Sequence, residues 1–429
     1  LAYMNNYVNN DSPDPALRGD RNLFVRGPKM IGPLDAPQPK LPESHRRVIV
    51  RQPNATEIRD VARESLNQFA EKAFRRPVSE KEINRLLTFV DMSLADAGSF
   101  EQGMQLAVQA ILVSPHFLFR WELDTRPSGD EPIRELTDWE LASRLSYFIW
   151  SSMPDAELRR LAKRGELSKP DVMQAQIRRM IADPKSDALI ENFAGQWLQI
   201  RNLNGVTPDP TNFPTFDDSL RQAMKRETEM FFGALMREDR SVLELIDSDF
   251  TYLNERLAKH YGLKPAEGKG LAKYDLSAVP ERGGLLTQGS VLTIGGDEAS
   301  MVTRGLFVLH DLLRSGVKDP PPCVDTTPVP TKPGLTQRSI AADRVANKSC
   351  GGCHGKFEPL AYGLEMFDGI GAFHRKDEHG NKLREDGEIL FPGTAKPVPY
   401  KTSAELLNLL SGSDRVSPVS YTHLRAHET

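Results

Sequence analysis

Apolar residues recur at helical spacing from Asn54 onward. Ile58, Val61, Ala62, Leu66, Phe69 and Ala73 share one stripe, which Pro77 closes. Ser79-Glu80-Lys81-Glu82 has the S-x-x-E form, in which hydroxyl and carboxylate each bond the other's backbone N–H. It opens a second helix with Ile83, Leu86, Leu87 and Val90 inward. A third runs from about Ser99 through Leu106, Ile111 and Leu112. Pro115 then breaks or kinks it before His116-Phe117-Leu118-Phe119-Arg120-Trp121. Thr137-Asp138-Trp139-Glu140 repeats the capping pattern ahead of Leu141–Trp150. Met153-Pro154-Asp155 starts a short helix toward Leu161, and Pro170 opens one holding Met173, Ile177 and Met180. Asp187–Leu198, the long amphipathic Asp217–Met236, Val242–Ile246 and Leu253–His260 complete the series. Strand signal is almost absent from 54 to 262, and the short connections predict an antiparallel helical array.

The pattern changes on either side of this array. Residues 1–53 are rich in Asn, Asp, Gly and Pro, and Val48-Ile49-Val50 before Pro53 reads as a strand. This predicts the C-terminal remnant of a β-rich domain. Around 266–276 the chain is Gly- and Lys-rich, as in a linker. Gly283–Leu292 then leads into a helix over Met301–Arg314. Pro320–Pro333 is Pro-rich, hence extended and exposed. A helix over Thr336–Asn347 delivers the chain to Cys350. The expected class is mainly α: a helical array, then a small domain around Cys350, with a short β-rich remnant at the N-terminus.

Composition narrows the class. A chain of 429 residues, 39% hydrophobic and 27% charged, has room for two to four soluble domains. No run of about 18 apolar residues predicts a transmembrane helix. A net charge of -4 with both signs mixed argues against nucleic acid as partner. Three cysteines are too few for a disulfide scaffold.

Two of those cysteines carry the chemistry. Cys350-Gly351-Gly352-Cys353-His354 is a C-x-x-C-H, the attachment signature of a c-type haem. The thiols add across the haem vinyl groups, and His354 becomes the proximal iron ligand. Gly351 and Gly352 keep side chains away where backbone approaches porphyrin. A zinc site needs about four ligands, for which His374 and His379 are at hand and Cys323 is the remaining thiol. A thioredoxin-like pair would need a βαβ context, which is absent from the pattern. Haem c attachment occurs outside the cytoplasmic membrane, so the motif implies a periplasmic or otherwise exported protein. The chain opens Leu1-Ala2-Tyr3 without a basic leader, so its signal peptide is expected to be lost with the N-terminus. Residues 419–429 resemble one reading frame of a transposase sequencing adapter, an artefact that removes His423 and His427 from any metal argument.

The ligand opposite His354 decides the chemistry. Methionine raises the potential and suits electron transfer, a second histidine lowers it, and an open position permits ligand binding. Met366 is the first candidate, with ordinary core packing beside Leu364, Phe367 and Ile370 as the alternative. His374, Met301 and His310 follow. Arg75, Arg76, Arg120 and Arg304 are either partners for haem propionates or structural ion pairs. Asp249, Glu255, Asp297 and Glu298 form no recognisable carboxylate pair. Trp121, Trp139, Trp150 and Trp197 are spaced as core anchors.

The order of several segments carries a resemblance. These are Phe74-Arg75-Arg76-Pro77, Ile111–Arg120, Leu141–Trp150 and Asp249–Leu257. Cys350–His354 with Pro359-Leu360 and Gly363–Gly371 follows. Together they resemble a family of planctomycete cytochrome c-type multidomain proteins, built from consecutive domains of unknown function numbered 1587, 1595, 1592, 1588 and 1585. The resemblance implies a 1595-like helical domain over 54–98 and a 1592-like one over 99–265. A 1588-like haem c domain covers 281–395, and the start of a truncated 1585-like domain covers 396–418. It further implies an exported monohaem c-type cytochrome that transfers electrons to a redox partner protein, with the helical scaffold for docking. Two other readings stay open. One is a haem-dependent oxidoreductase on an extracellular substrate, such as one from a polysaccharide-associated system. The other is a zinc-stabilised binding module.

Overall fold

The computed structural model describes residues 42–120, 122, 134–265, 268, 270–294, 299–319, 327 and 329–416. They are mainly helical, with two small antiparallel two-stranded sheets. The chain divides into two units, one holding residues 42–70 and 78–112, the other 71–77 and 113–416.

In the first unit the helix Glu80–Ala95 starts where its capping box requires. Glu82 N–H donates to Ser79 Oγ at 3.3 Å, and Ser79 N–H donates back to Glu82 Oε2 at 2.9 Å. Ile83, Leu86, Leu87 and Val90 are buried, as their spacing predicts. The helix Phe100–Leu112 packs against it at Gly103, where a Cβ would lie 2.8 Å from Val90 Cα. The strand expected at Val48-Ile49-Val50 is not there. Glu43–Val48 is helical, held by an ion pair between Glu43 and Arg47 one turn apart, and only Ile49 turns extended. Among the described residues no strand lies beside this segment, so its β-branched residues have nothing to pair with. The rest of the expected β-rich remnant lies outside the described residues.

The second unit holds the rest of the array. Thr137 and Glu140 form a second capping box, Asp155 caps Ala156–Arg164, and Pro170 occupies the first turn of Pro170–Ala182. The expected helix Asp187–Leu198 contains a π segment, Ile190–Ala194, and Met301–Phe307 continues into another, Val308–Leu312. The two segments approach each other through Trp197, whose indole N–H donates to the Asp311 carbonyl at 3.2 Å. Trp150 and Trp197 are buried, as core anchors should be. Phe250–Leu253 is a strand, paired antiparallel to Ala272–Asp275 with Phe250 opposite Asp275. The helix expected from Leu253 therefore begins later, at Glu255, with Asn254 as its cap. One hydrophobic core runs from Leu198 and Phe231 through Leu292 and Val308 to Leu360, Phe367 and Leu406. The segment following the C-x-x-C-H thus shares a core with the long helix Asp218–Arg237.

That long helix also buries charge. Glu227 is 1% exposed and accepts from Tyr261 Oη at 2.6 Å and Thr251 Oγ1 at 2.7 Å. Burial pushes its carboxyl up to about 7. The folded state therefore keeps a proton that the unfolded chain, ionising near 4.5, gives up. Its contribution to stability is complete below pH 4.5, declines as pH rises, and is gone above about 7.

Two outcomes follow from this packing. Gly103→Ala would gain about 1 kcal/mol in an exposed helix. Here it is expected to lower the urea midpoint, because the added carbon meets backbone, and an unchanged or raised midpoint contradicts the close approach. Glu227→Gln is expected to flatten a decline in wild-type stability of up to ~3 kcal/mol between pH 4.5 and 7. Urea titrations across that range test it, and equal slopes in both proteins count against it.

Candidate haem attachment site

The site begins at a helix end. Gln337–Ala346 is capped by Thr336, and Asn347 stops it. The Asn347 side-chain oxygen accepts from Ser349 N–H at 2.8 Å, and its carbonyl accepts from Gly351 N–H at 2.7 Å. This turn launches a single helical turn, Gly351–His354, with Cys350 at its N-cap. Gly351 has a steric reason different from the expected one: a Cβ there would lie 2.2 Å from the Val345 carbonyl oxygen. Gly352 faces open space.

The turn brings the candidate attachment residues together. Cys350 and Cys353 are free thiols at i and i+3, the first half-buried and the second exposed. His354 follows, with 26% of its side chain exposed. Its Nδ1 lies 3.2 Å from Glu358 Oε1, and the Phe357 ring tilts against it at 5.0 Å. Glu358 is wholly buried and also accepts from Arg344 Nε at 2.8 Å and Nη2 at 2.6 Å. An imidazole whose Nδ1 is tied to a carboxylate is set to present Nε2 to a metal. Two thiols on one turn plus such an imidazole is the donor set that a c-type haem uses, so the residues present fit that group.

The other candidates fall into place differently. Met366 is 7% exposed, and its carbonyl accepts from His374 N–H at 2.7 Å. Met301 packs with Ala341 and Ala361. His374 Nε2 is 2.9 Å from Asp368 Oδ2, which raises the imidazole above its usual range. His379 lies beside Glu378 and Thr331. Among the described residues no three of His, Cys, Asp and Glu gather as a metal-binding group, and Cys323 lies outside them. His310 is exposed on the π segment. It lines a cavity of about 190 Å3 with Arg304, Asp311, Gln199, Phe307 and Leu364. Burial pushes Asp311 up to about 6 there.

The arginines serve the backbone. Arg75 Nη2 donates to the carbonyls of His116, Phe117 and Phe119 at 2.7–3.2 Å, and Arg120 lies over the Tyr147 ring at 4.6 Å. Arg76 Nη1 donates to the Pro77 carbonyl at 2.9 Å. Arg304, 4% exposed and pulled down to about 10 by burial, donates to the carbonyls of Leu364, Phe367 and Asp368 at 2.6–2.9 Å. Arg282 reaches Gly371 O at 2.8 Å, and His260 Nε2 reaches Ile370 O at 2.8 Å. Sequence reasoning had left out Glu358, Arg344, Arg282 and His260. Only Glu358 left a readable signal, an acid one helical turn after the motif histidine.

Comparison with known proteins then supplies a family. PSD5, a protein of unknown function (DUF1595), matches residues 61–122, and PSD4, a protein of unknown function (DUF1592), matches 136–263. PSCyt3, a protein of unknown function (DUF1588), matches 282–377, which contains Cys350–His354. The chain belongs to the planctomycete cytochrome c-type multidomain family. The 1585-like match expected over 396–418 is not among those found. No curated protein and no solved structure matches the chain. In this family member the PSCyt3 span holds both the thiol pair and the carbonyls that Arg304 and Arg282 grip.

Arg304→Met should orphan the buried Phe367 carbonyl and take the side-chain donor from those of Leu364 and Asp368, which keep backbone donors. An orphaned carbonyl costs about 1–3 kcal/mol, so a loss in that range is expected in urea unfolding. Amide exchange over 364–374 should quicken, and unchanged exchange would show that other contacts hold this segment.

Proposed function

We propose that this chain is an exported c-type cytochrome that carries one covalently attached haem and passes single electrons to and from a redox partner protein. The observation that carries this is the turn Cys350–His354, with both thiols on one face and the His354 Nδ1 held by buried Glu358. Cys350 and Cys353 would hold the haem by thioether bonds, and His354 Nε2 would serve as its axial ligand. The haem, when bound, supplies one-electron chemistry. The chain's own residues fix the imidazole, keep the Glu358 side water-free and leave Cys353 at the surface, where a partner can approach. Met366 is our candidate for the opposite ligand. Its segment is held by Arg304, Arg282 and His260, which would keep a thioether in place. The helices between 134 and 265 would be a docking scaffold. Export follows from the attachment chemistry. Among the described residues no helix is long and apolar enough to cross a membrane.

A second reading, a haem-dependent oxidoreductase on an extracellular, polysaccharide-derived substrate, would need a pocket beside the iron position, and the cavity beside Arg304 and Asp311 is lined by no residue of Cys350–His354. The zinc-stabilised module loses support, since His374 and His379 are engaged elsewhere.

The test is a visible spectrum of the full chain made in a haem-c-maturing periplasm. A Soret band that survives denaturation is expected in the wild type and should be absent from the Cys350→Ser, Cys353→Ser double variant. A thioether–iron charge-transfer band, lost in Met366→Ala, is expected in the oxidised protein. A high-spin spectrum shifted by carbon monoxide would favour the oxidoreductase. No haem, with stoichiometric zinc, would overturn both haem readings.

A further inference from the structure

The carboxylate behind His354 is unusual in how it is used. Glu358 is 0% exposed at its side chain, so its charge sits in a medium that screens it weakly. An arginine fork facing a carboxylate for stability alone would engage both oxygens. Here both Arg344 nitrogens fall on Oε1, the oxygen that also faces His354 Nδ1. Oε2 is buried without a hydrogen-bond partner among the described residues. Such an orphan oxygen is costly, which a purely structural ion pair would have avoided. Other groups nearby do not cancel the charge. Tyr362 is pushed up by burial and then by Glu358 itself, so it stays neutral. Arg338 lies over the Tyr362 ring at 4.8 Å and leans toward Asp386 at 3.8 Å. Arg344 is therefore the one cation among the described residues in hydrogen-bond contact with this carboxylate, and it is itself 28% exposed.

We propose that Glu358 is a positioning residue that also sets the redox level of the site. Its buried carboxylate orients the His354 ring with Nε2 outward and makes that nitrogen a stronger donor. It thereby holds the iron position at a lower reduction potential than a histidine anchored by a neutral acceptor would have. This rests on the haem reading above. A carboxylate acceptor strengthens the Nδ1 hydrogen bond and raises the basicity of the opposite nitrogen. Its negative charge favours the more positive, oxidised state. One electron arrives from an external one-electron donor, and no bond or proton needs to move. Arg344 tempers the effect by drawing on the same oxygen.

The experiment uses the whole chain matured with haem in the periplasm. Covalent haem is quantified in each variant before a spectroelectrochemical titration at fixed pH. Glu358→Gln, close to isosteric, is expected to raise the potential by at least a tenfold change in the reduction equilibrium constant, about 59 mV for one electron. Arg344→Gln is expected to shift it in the opposite direction. A merely structural role would change thermal stability without this pair of opposed shifts. Equal potentials in wild type and Glu358→Gln, both carrying covalent haem, would overturn the proposal and leave the cytochrome reading intact. Absence of covalent haem from the wild type would overturn the cytochrome reading instead. Should Glu358→Gln fail to mature, Arg344→Gln decides: a lowered potential supports the proposal, and an unchanged or raised one overturns it.

Discussion

Everything around the segment 364–371 depends on buried side-chain donors gripping backbone carbonyls. From Leu364 to Gly371 the chain belongs to no strand and no long helix, yet it passes through the core beside Phe367. Buried carbonyls without partners cannot persist, so side chains add donors to the backbone ones that reach Leu364, Met366 and Asp368. Arg304 serves Leu364, Phe367 and Asp368, while Arg282 and His260 serve Gly371 and Ile370. Arg282 also lies 3.6 Å over the Tyr261 ring, and Tyr261 donates to Glu227 on the long helix. The chain of contacts therefore runs from the helical array to the segment that carries Met366. Each step is a hydrogen bond or a stacked cation, more directional than apolar packing alone.

What the sequence discloses is what is local. Ser79 with Glu82 and Thr137 with Glu140 mark helix starts correctly, because a capping box needs only four consecutive residues. The inward positions Ile83, Leu86, Leu87 and Val90 follow from period alone. C-x-x-C-H is likewise contiguous. The failures are of range. Phe250–Leu253 becomes a strand because Ala272–Asp275 pairs with it, a partner that no window of periodicity contains. Val48 turns helical because its expected partner strand does not lie beside it among the described residues. The grip of Arg304 on residues some sixty positions later leaves no pattern in the chain. Arg304 reads as a surface cation or a propionate partner until the carbonyls arrive.

The motif itself shows how local and long-range demands meet. Gly351 is fixed by the Val345 carbonyl, a contact inside the turn between two helices. Gly305 plays the same part from outside: a Cβ there would lie 2.2 Å from the Phe357 carbonyl oxygen, so the helix Met301–Phe307 is pressed against the residue before Glu358. Phe357 in turn leans on the His354 ring. Two glycines far apart in sequence thus allow the close backbone approaches on either side of His354 and Glu358.

That arrangement separates two requirements on one helical turn. The proposed attachment and electron exchange would need access, and Cys353 is exposed while Gly352 faces open space. The proposed control of an iron would need the opposite, a charge held where water cannot screen it, and Glu358 is wholly buried only one turn later. The helical period makes this possible, since His354 and Glu358 share a face while Cys353 starts another. A backbone carbonyl could have oriented the imidazole just as well at lower cost. A carboxylate in that place, with one oxygen left without a partner among the described residues, fits the redox role proposed above better than a purely structural one.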